Sequence, residues 1–99
     1  MSGCVAHDQP VAYFMTHGTD DEVCFYPEYG VPQLNDFANV NGCTAQTLPT
    51  PIGTEPACVD FADCLDGYPT RACIFVGPHT PSPTGNWVPG ESWAFISQF

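Results

Sequence analysis

Two runs of β-forming residues constrain the fold of this chain more than any other feature. They are VAYFMT at positions 11–16 and TRACIFV at positions 70–76, and both are apolar with little polar alternation. Continuous runs of this kind suit strands that are covered on both faces, as in a parallel sheet. The sequence therefore predicts two buried, parallel strands separated by more than fifty residues.

The segments around these strands carry helical periodicity. Residues 31–41 show one apolar stripe of a helix, formed by Val31, Leu34, Phe37 and Ala38. The closing ESWAFISQF, 91–99, has apolar pairs at helical spacing, and CVDFADC, 58–64, alternates as in a short edge strand or hairpin arm. Strand–helix alternation of this kind predicts an α/β layered fold with two main strands, two helices and an irregular excursion between them.

Charge limits the partners of the chain. Eleven acidic residues stand against a single base, Arg71, which gives a net charge of −10 over 99 residues. Such a chain cannot neutralise phosphates, so we expect no nucleic-acid partner and no anionic membrane surface. A composition that is 43% hydrophobic argues against disorder and for one modest domain.

Six cysteines, at positions 4, 24, 43, 58, 64 and 73, indicate a secreted, disulfide-bonded chain. A zinc site is the rival interpretation, but no C-x-x-C pair is present. Sequence does not choose among the possible pairings. We expect Cys58 with Cys64 across a short hairpin and Cys43 with Cys73, which leaves Cys4 and Cys24 to pair with each other or with another segment.

The start of the chain does not match a secreted protein. MSGCVAHDQPVAYFM lacks the basic region and the long apolar core of a signal peptide. Two main strands are also too few for a complete doubly wound sheet. We therefore expect residues 1–99 to be the C-terminal piece of a longer secreted protein.

Both predicted strands lead into loops that carry candidate catalytic groups. The acids Asp20, Asp21 and Glu22 follow the first strand, and His79 follows the second. Functional residues of α/β sheets lie beyond the carboxyl ends of the strands, so adjacent parallel strands would bring these loops together. A carboxylate bonded to an imidazole holds one tautomer and stabilises the cation, as in a serine-hydrolase triad. The order acid, then histidine, also matches α/β-hydrolases.

Several short segments of the sequence carry a resemblance to a known protein family. HGTDDEV, YGVPQLNDFANVNGC, CVDFADC, YPTRACIFVGPHTPSPTGNW and SWAFISQF resemble the C-terminal third of secreted fungal feruloyl esterases. These belong to a carbohydrate esterase family that also resembles polyhydroxybutyrate depolymerases. The resemblance implies that Asp21, four residues after His17, is the triad acid and that His79 is the triad base. It implies a C-terminal fragment of a single α/β-hydrolase domain, without a cofactor.

The same resemblance implies the reaction. The partners would be feruloylated plant cell-wall polysaccharide, such as arabinoxylan or pectin, or small hydroxycinnamate esters. Two departures qualify it: Gly77-Pro78 replaces the usual Gly-Gly before the histidine, and no serine lies in a G-x-S-x-G motif. Since the nucleophile is missing from these 99 residues, we expect the chain to be inactive alone.

Other residues near the candidate site have simpler interpretations. Asp20 is the fallback for the triad acid and is otherwise expected to be a capping or turn residue. His17 is expected to be structural, with its ring bonded locally at the strand end, and His7 to be solvated. Trp87 could flank an aromatic acyl group because its flat face stacks well. The alternative is that it covers the loop and the last helix.

A metal site and a different class of function are two further interpretations of the sequence. Asp60, Asp63 and Asp66 lack the frame and closing Glu of a calcium loop, so no metal is expected. The alternative function is a self-standing, disulfide-rich carbohydrate-binding module that uses exposed aromatics such as Trp87 and Tyr68. Such a module would place the two apolar runs in an antiparallel sheet, whereas an esterase part would place them parallel.

Overall fold

The computed structural model describes residues 9–52, 55–80, 83 and 85–99. In chain order its elements are β1 (Tyr13–Gly18), a π-helical turn (Tyr26–Gly30) that runs into α1 (Val31–Val40), β2 (Ala57–Asp60), β3 (Thr70–Phe75) and α2 (Val88–Ile96). The predicted strands and helices are confirmed, with boundaries shifted by up to four residues. Cys4 and His7 lie outside the described residues. Within the described ranges, no helix is long and apolar enough to cross a membrane.

The described strands form a mixed sheet in the order β1-β3-β2. β1 pairs parallel with β3, in a register that runs from Tyr13 opposite Thr70 to Gly18 opposite Phe75. The chain between these strands contains α1, which is the crossover that parallel strands need. β2 pairs antiparallel with β3 at the other edge. The predicted parallel pair and the predicted short edge strand are both confirmed.

One helix covers each face of the sheet. On one face, Leu34 and Ala38 of α1 pack with Met15, Ala72 and Ile74 in the main hydrophobic core. Side chains alternate along a strand, so Phe14 points to the opposite face, where its ring lies 5.4 Å from that of Phe95 in α2. Coverage on both faces explains why the two apolar runs lack polar alternation.

A buried amide joins the end of α1 to the sheet. Asn41 is fully buried; its Oδ1 accepts the Val11 N–H at 2.9 Å, and its Nδ2 donates to the Val11 carbonyl and to Thr70 Oγ1, both at 2.8 Å. Gly42, at φ +76°, then ends the helix in the left-handed region that favours glycine. These contacts fix α1 against the starts of β1 and β3.

Replacing Asn41 by alanine is expected to lower the free energy of unfolding by about 2 kcal/mol, because buried partners lose their hydrogen bonds. Urea denaturation of the oxidised chain measures this. Asn39→Ala, at an exposed position of the same helix, is the matched control and should change stability by less than about 0.5 kcal/mol. Equal effects of the two variants would contradict a special contribution of the buried amide.

The predicted disulfide pairing is wrong. Cys58 bonds Cys73 and Cys43 bonds Cys64, rather than Cys58 with Cys64 and Cys43 with Cys73. The first bond forms because β2 pairs with β3, which puts Cys58 directly opposite Cys73.

The second bond follows from the chain path after α1. The Thr44 N–H donates to the Ala62 carbonyl, and the Leu65 N–H donates to the Asn41 carbonyl, both at 2.8 Å. These bonds place residues 41–44 alongside residues 62–65, so Cys43 meets Cys64. The wrong pairing assumed a hairpin between positions 58 and 64, and no hairpin closes there.

The single arginine ties three elements together. On β3, Arg71 Nη1 lies 2.7 Å from Asp60 Oδ2 on β2, and Nη2 lies 3.0 Å from Glu91 Oε1 on α2. Burial alone would lower the pKa of Arg71, but the two carboxylates outweigh it and raise the pKa. Arg71 therefore links β2, β3 and α2 on the α2 side of the sheet.

Candidate active site

Asp21 and His79 meet beyond the carboxyl ends of the two parallel strands. His79 Nδ1 lies 2.7 Å from Asp21 Oδ2. The Asp21 side chain is 4% exposed, whereas the His79 side chain is 55% exposed. The loops that the sequence predicted to be adjacent are adjacent, with the acid inside and the imidazole at the surface.

Backbone hydrogen bonds extend the pairing of β1 and β3 into these loops. The Thr19 N–H donates to the Phe75 carbonyl and the Asp20 N–H to the Gly77 carbonyl, both at 2.9 Å. The next residue, Asp21, can then turn its side chain inward toward His79. Asp20 is exposed and serves the turn through its backbone, as predicted.

The Asp21 carboxylate has donors on both oxygens. Its Oδ1 accepts the backbone N–H groups of Val23 at 2.8 Å and Cys24 at 2.7 Å, while its Oδ2 faces His79. A side chain that bonds the backbone two and three residues ahead is the usual stabiliser of such a turn. Of the three consecutive acids, only Asp21 is buried, and its orientation is fixed before any substrate binds.

The electrostatics of Asp21 keep it ionised. Burial alone would raise its pKa, but hydrogen bonds from the Cys24 N–H, from His79 and from the Val23 N–H outweigh burial and lower the pKa. An ionised carboxylate only accepts hydrogen bonds, so His79 Nδ1 carries the proton and donates it to Asp21. In the neutral ring, Nε2 then holds the free lone pair, which is the atom that a general base uses.

The lowered pKa of Asp21 predicts a pH-dependent stability. A carboxyl group with a lower pKa in the folded state stabilises the fold above its unfolded pKa, and this contribution is lost as the pH falls through the folded pKa. We expect the stability gap between the native chain and Asp21→Asn to be widest near neutral pH and to narrow in acid. Urea denaturation over a pH series measures the gap, with exposed Glu22→Gln as control. A gap independent of pH would contradict the lowered pKa.

His17 lies beside this pair. Its Nδ1 is 3.0 Å from the Gly18 carbonyl oxygen, and its ring packs 5.2 Å from the ring of Tyr26. The predicted structural role, with the ring bonded locally at the end of the strand, is confirmed.

A cleft of about 370 Å³ opens at the Asp21–His79 pair. Its described lining consists of Thr16, His17, Gly18, Asp21, Cys24, His79 and Thr80. Trp87 is not in this lining; its ring packs edge-on against Phe75, with centroids 5.8 Å apart, at the start of α2. The structure thus brings together two of the three predicted site residues, and a contact between Trp87 and substrate stays a prediction.

Sequence reasoning missed the part that Gly18 plays. A Cβ built on Gly18 would overlap the Gly77 carbonyl oxygen and would lie 2.6 Å from that of Pro78. Only glycine therefore allows the His79 loop to approach the end of β1. A glycine at the end of an apolar strand was the signal available, since such residues mark close backbone approach.

Gly18→Ala is expected to push the two loops apart and lengthen the Asp21–His79 hydrogen bond. In an esterase that uses this pair, a displacement of about 1 Å should lower kcat by about 10²-fold. The matched control is Gly67→Ala, because a Cβ there meets nothing within 4 Å, although its φ of +85° costs some stability. If Gly18→Ala retained full kcat, the close approach would not matter for the pair.

Two of the three acids that were considered for a calcium loop, Asp60 and Asp63, have protein partners. Asp60 accepts from Arg71, and Asp63 Oδ2 accepts from Thr44 Oγ1 at 2.7 Å. Among the described residues, a group of metal-type ligands consists of Cys58, Cys73 and Glu91, but these two cysteines are joined in a disulfide. These groups therefore serve the fold.

A buried carboxylate that holds an exposed imidazole at the ends of neighbouring parallel strands matches the acid–base half of a serine-hydrolase triad. Sequence similarity to curated proteins supports the same class. The chain is 30% identical to feruloyl esterase D of Neurospora crassa, over 100% of its own length and 36% of the relative's. It is 30% identical to feruloyl esterase C of Emericella nidulans and 31% identical to probable feruloyl esterase C of Aspergillus flavus, in each case over 97% of this chain and 36% of the relative.

Along its whole length, the chain is therefore homologous to part of the fungal feruloyl esterases, and it spans about a third of the length of these relatives. A scan against protein-family models finds no match.

Proposed function

We propose that these 99 residues supply the acid and the base of a secreted serine esterase that hydrolyses feruloyl and related hydroxycinnamoyl esters of plant cell-wall polysaccharide. The observation that carries this proposal is the 2.7 Å contact between His79 Nδ1 and the buried Asp21 carboxylate. The feruloyl esterase relatives support the choice of reaction.

In the proposed reaction, Asp21 holds the Nδ1 proton of His79, so that Nε2 accepts the proton of a serine hydroxyl. The serine oxygen attacks the ester carbonyl carbon, and Nε2–H then protonates the departing sugar oxygen, which leaves a feruloyl-serine ester. Nε2 then removes a proton from water as the water attacks this ester, and Nε2–H returns that proton to the departing serine oxygen, which releases ferulic acid and restores the serine hydroxyl. Asp21 stays ionised throughout and stabilises the imidazolium that forms in both steps.

In this scheme, a part of the protein outside residues 1–99 supplies the nucleophilic serine. The serines of the sequence are Ser2, Ser82, Ser92 and Ser97, and none stands in G-x-S-x-G. We propose that residues 1–99 are the C-terminal part of a single α/β-hydrolase domain whose other part supplies the serine and the oxyanion hole. The match to about a third of each relative supports this division.

Secretion and substrate class belong to the same proposal. Two disulfides within the described residues suit an oxidising compartment. A net charge of −10 suits neutral esters better than anionic polymers.

The alternative of a carbohydrate-binding module made a different prediction for the sheet. It expected the two apolar runs to pair antiparallel, whereas β1 and β3 pair parallel, as the esterase hypothesis expected. This pairing favours the esterase.

A segment exchange tests the proposed function. Residues 1–99 replace the matching third of feruloyl esterase D from Neurospora crassa, and methyl ferulate hydrolysis is measured. We expect turnover by the hybrid and none by the 99-residue chain alone. A hybrid that unfolds cooperatively but does not hydrolyse the ester would contradict the proposal. Hydrolysis by the isolated chain would contradict the division of the triad.

A further inference from the structure

We infer that His17 is a positioning residue: by donating its Nδ1 proton to the Gly18 carbonyl, it fixes the turn that presents Asp21 to His79. This inference rests on the proposed function of the Asp21–His79 pair and deepens it. His17 itself takes no part in the proton transfers of this scheme.

The Gly18 carbonyl is where the turn can be held. In β1, Tyr13 donates its N–H to Pro69 of the neighbouring chain segment, and beyond the strand Thr19 donates to Phe75. Because backbone groups of a strand alternate in direction, those of Gly18 point away from β3. The ladder therefore holds the Gly18–Thr19 peptide through its Thr19 N–H, and the carbonyl on the opposite side of this planar peptide takes its donors from elsewhere.

Two donors converge on the Gly18 oxygen. The His17 Nδ1 lies at 3.0 Å and the Asp21 N–H nitrogen at 3.3 Å. The second distance is beyond the usual range for N–H···O bonds, so the imidazole is the better-placed donor. The Gly18–Thr19 peptide, from which the Asp21 turn departs, is thus held by Phe75 at its N–H and chiefly by His17 at its carbonyl.

Packing fixes the His17 ring in the orientation that this bond needs. Its side chain is 11% exposed. A Cβ added to Gly30, at the entry to α1, would lie 2.9 Å from His17 Nε2 and 3.0 Å from Tyr26 Cδ1. The helix layer therefore presses the ring onto the end of β1, and a larger residue at position 30 would displace it.

The same bond keeps His17 from competing with His79. His17 Nδ1 lies 4.0 Å from Asp21 Oδ2, beyond hydrogen-bonding distance, whereas His79 Nδ1 lies 2.7 Å from the same oxygen. Since the Gly18 carbonyl takes the His17 proton, Asp21 Oδ2 remains available to His79. A phenylalanine side chain could fill the space of the His17 ring but could not donate a hydrogen bond to the Gly18 carbonyl.

Two substitutions distinguish the contribution of the Nδ1 donor from the contribution of the ring. His17→Asn keeps an N–H donor near the place of Nδ1 and loses most of the ring, whereas His17→Phe keeps a ring and loses the donor. The readout is solvent exchange of the His79 Nδ1 proton, measured by proton–nitrogen NMR on the 99-residue chain. Asp21→Asn provides the reference for a lost carboxylate partner.

We expect His17→Phe to exchange this proton about tenfold faster, which is the size of one lost hydrogen bond, and His17→Asn to remain close to the native chain. Val59→Ala, at a partly buried position of β2, controls for general destabilisation and should leave the exchange unchanged when all chains are compared at equal distance from their unfolding midpoints.

Native-like exchange in His17→Phe would overturn the inference, and so would equal acceleration in the Asn and Phe variants. Fast exchange in the native chain, indistinguishable from that of Asp21→Asn, would overturn both the inference and the pairing on which it rests. The segment exchange measures ester hydrolysis, whereas the NMR experiment measures solvent exchange of the His79 Nδ1 proton. An active hybrid together with an unaffected His17→Phe would therefore remove the inference and leave the proposed function standing.

Discussion

His79→Ala, introduced into the hybrid esterase in which residues 1–99 supply the acid and base, is expected to lower kcat for methyl ferulate by about 10⁴-fold or more. Without the imidazole, the Asp21 carboxylate cannot replace it as the base, because this carboxylate is buried and already bonded to two backbone N–H groups. KM should change little, since the lost group acts in the transition state rather than in substrate binding.

Asp21→Asn should produce a loss of similar size, about 10⁴-fold, by a different route. An amide nitrogen facing His79 would favour the wrong tautomer, with Nε2 protonated and unable to act as base. The double variant Asp21→Asn, His79→Ala should be no worse than His79→Ala alone, because the two residues act as a unit.

The neighbouring acid provides the matched control for this pair. Asp20 is exposed and joins the His79 loop through its backbone N–H, so Asp20→Asn should retain nearly native kcat. If Asp20→Asn and Asp21→Asn lost activity equally, the triad acid would be misassigned. If His79→Ala kept substantial kcat, the proposed base would be wrong.

The parts of the fold that sequence predicted are those that depend on local pattern. The apolar runs became β1 and β3 because period and residue type alone mark strands with two covered faces. Adjacent parallel strands then fix where their loops emerge. The meeting of Asp21 and His79 was predictable for that reason, once the helix between the strands indicated a crossover.

The parts that sequence missed depend on contacts between distant segments. Cys58 bonds Cys73 because β2 pairs with β3, and nothing in CVDFADC itself shows which strand it joins. The tight approach at Gly18 depends on a carbonyl some sixty residues away, that of Gly77. Trp87 carries an apolar face that suits either a ligand or Phe75, and the packing of α2 determined that it contacts Phe75.

The corrected disulfides predict a large stability effect. In the chain-entropy account, a crosslink stabilises by restricting the unfolded chain, and the restriction grows with the loop that it closes. The separations are 21 residues for Cys43–Cys64 and 15 for Cys58–Cys73, so each bond should contribute about 3 kcal/mol. A chain of this size has a total stability of about 5–15 kcal/mol. Removing both bonds should therefore cost about 6 kcal/mol, a large fraction of that stability.

Paired alanine variants, Cys43→Ala with Cys64→Ala and Cys58→Ala with Cys73→Ala, test these contributions one bond at a time by urea denaturation. Removing the Cys58–Cys73 bond should cost somewhat more than loop length predicts, since Cys73 is fully buried and alanine leaves a small cavity there. Proteolysis of the oxidised chain, followed by mass spectrometry, should find peptides joined 43 to 64 and 58 to 73. Peptides joined 58 to 64 would instead place β2 away from β3 and would overturn the mixed sheet on which the Asp21–His79 geometry is built.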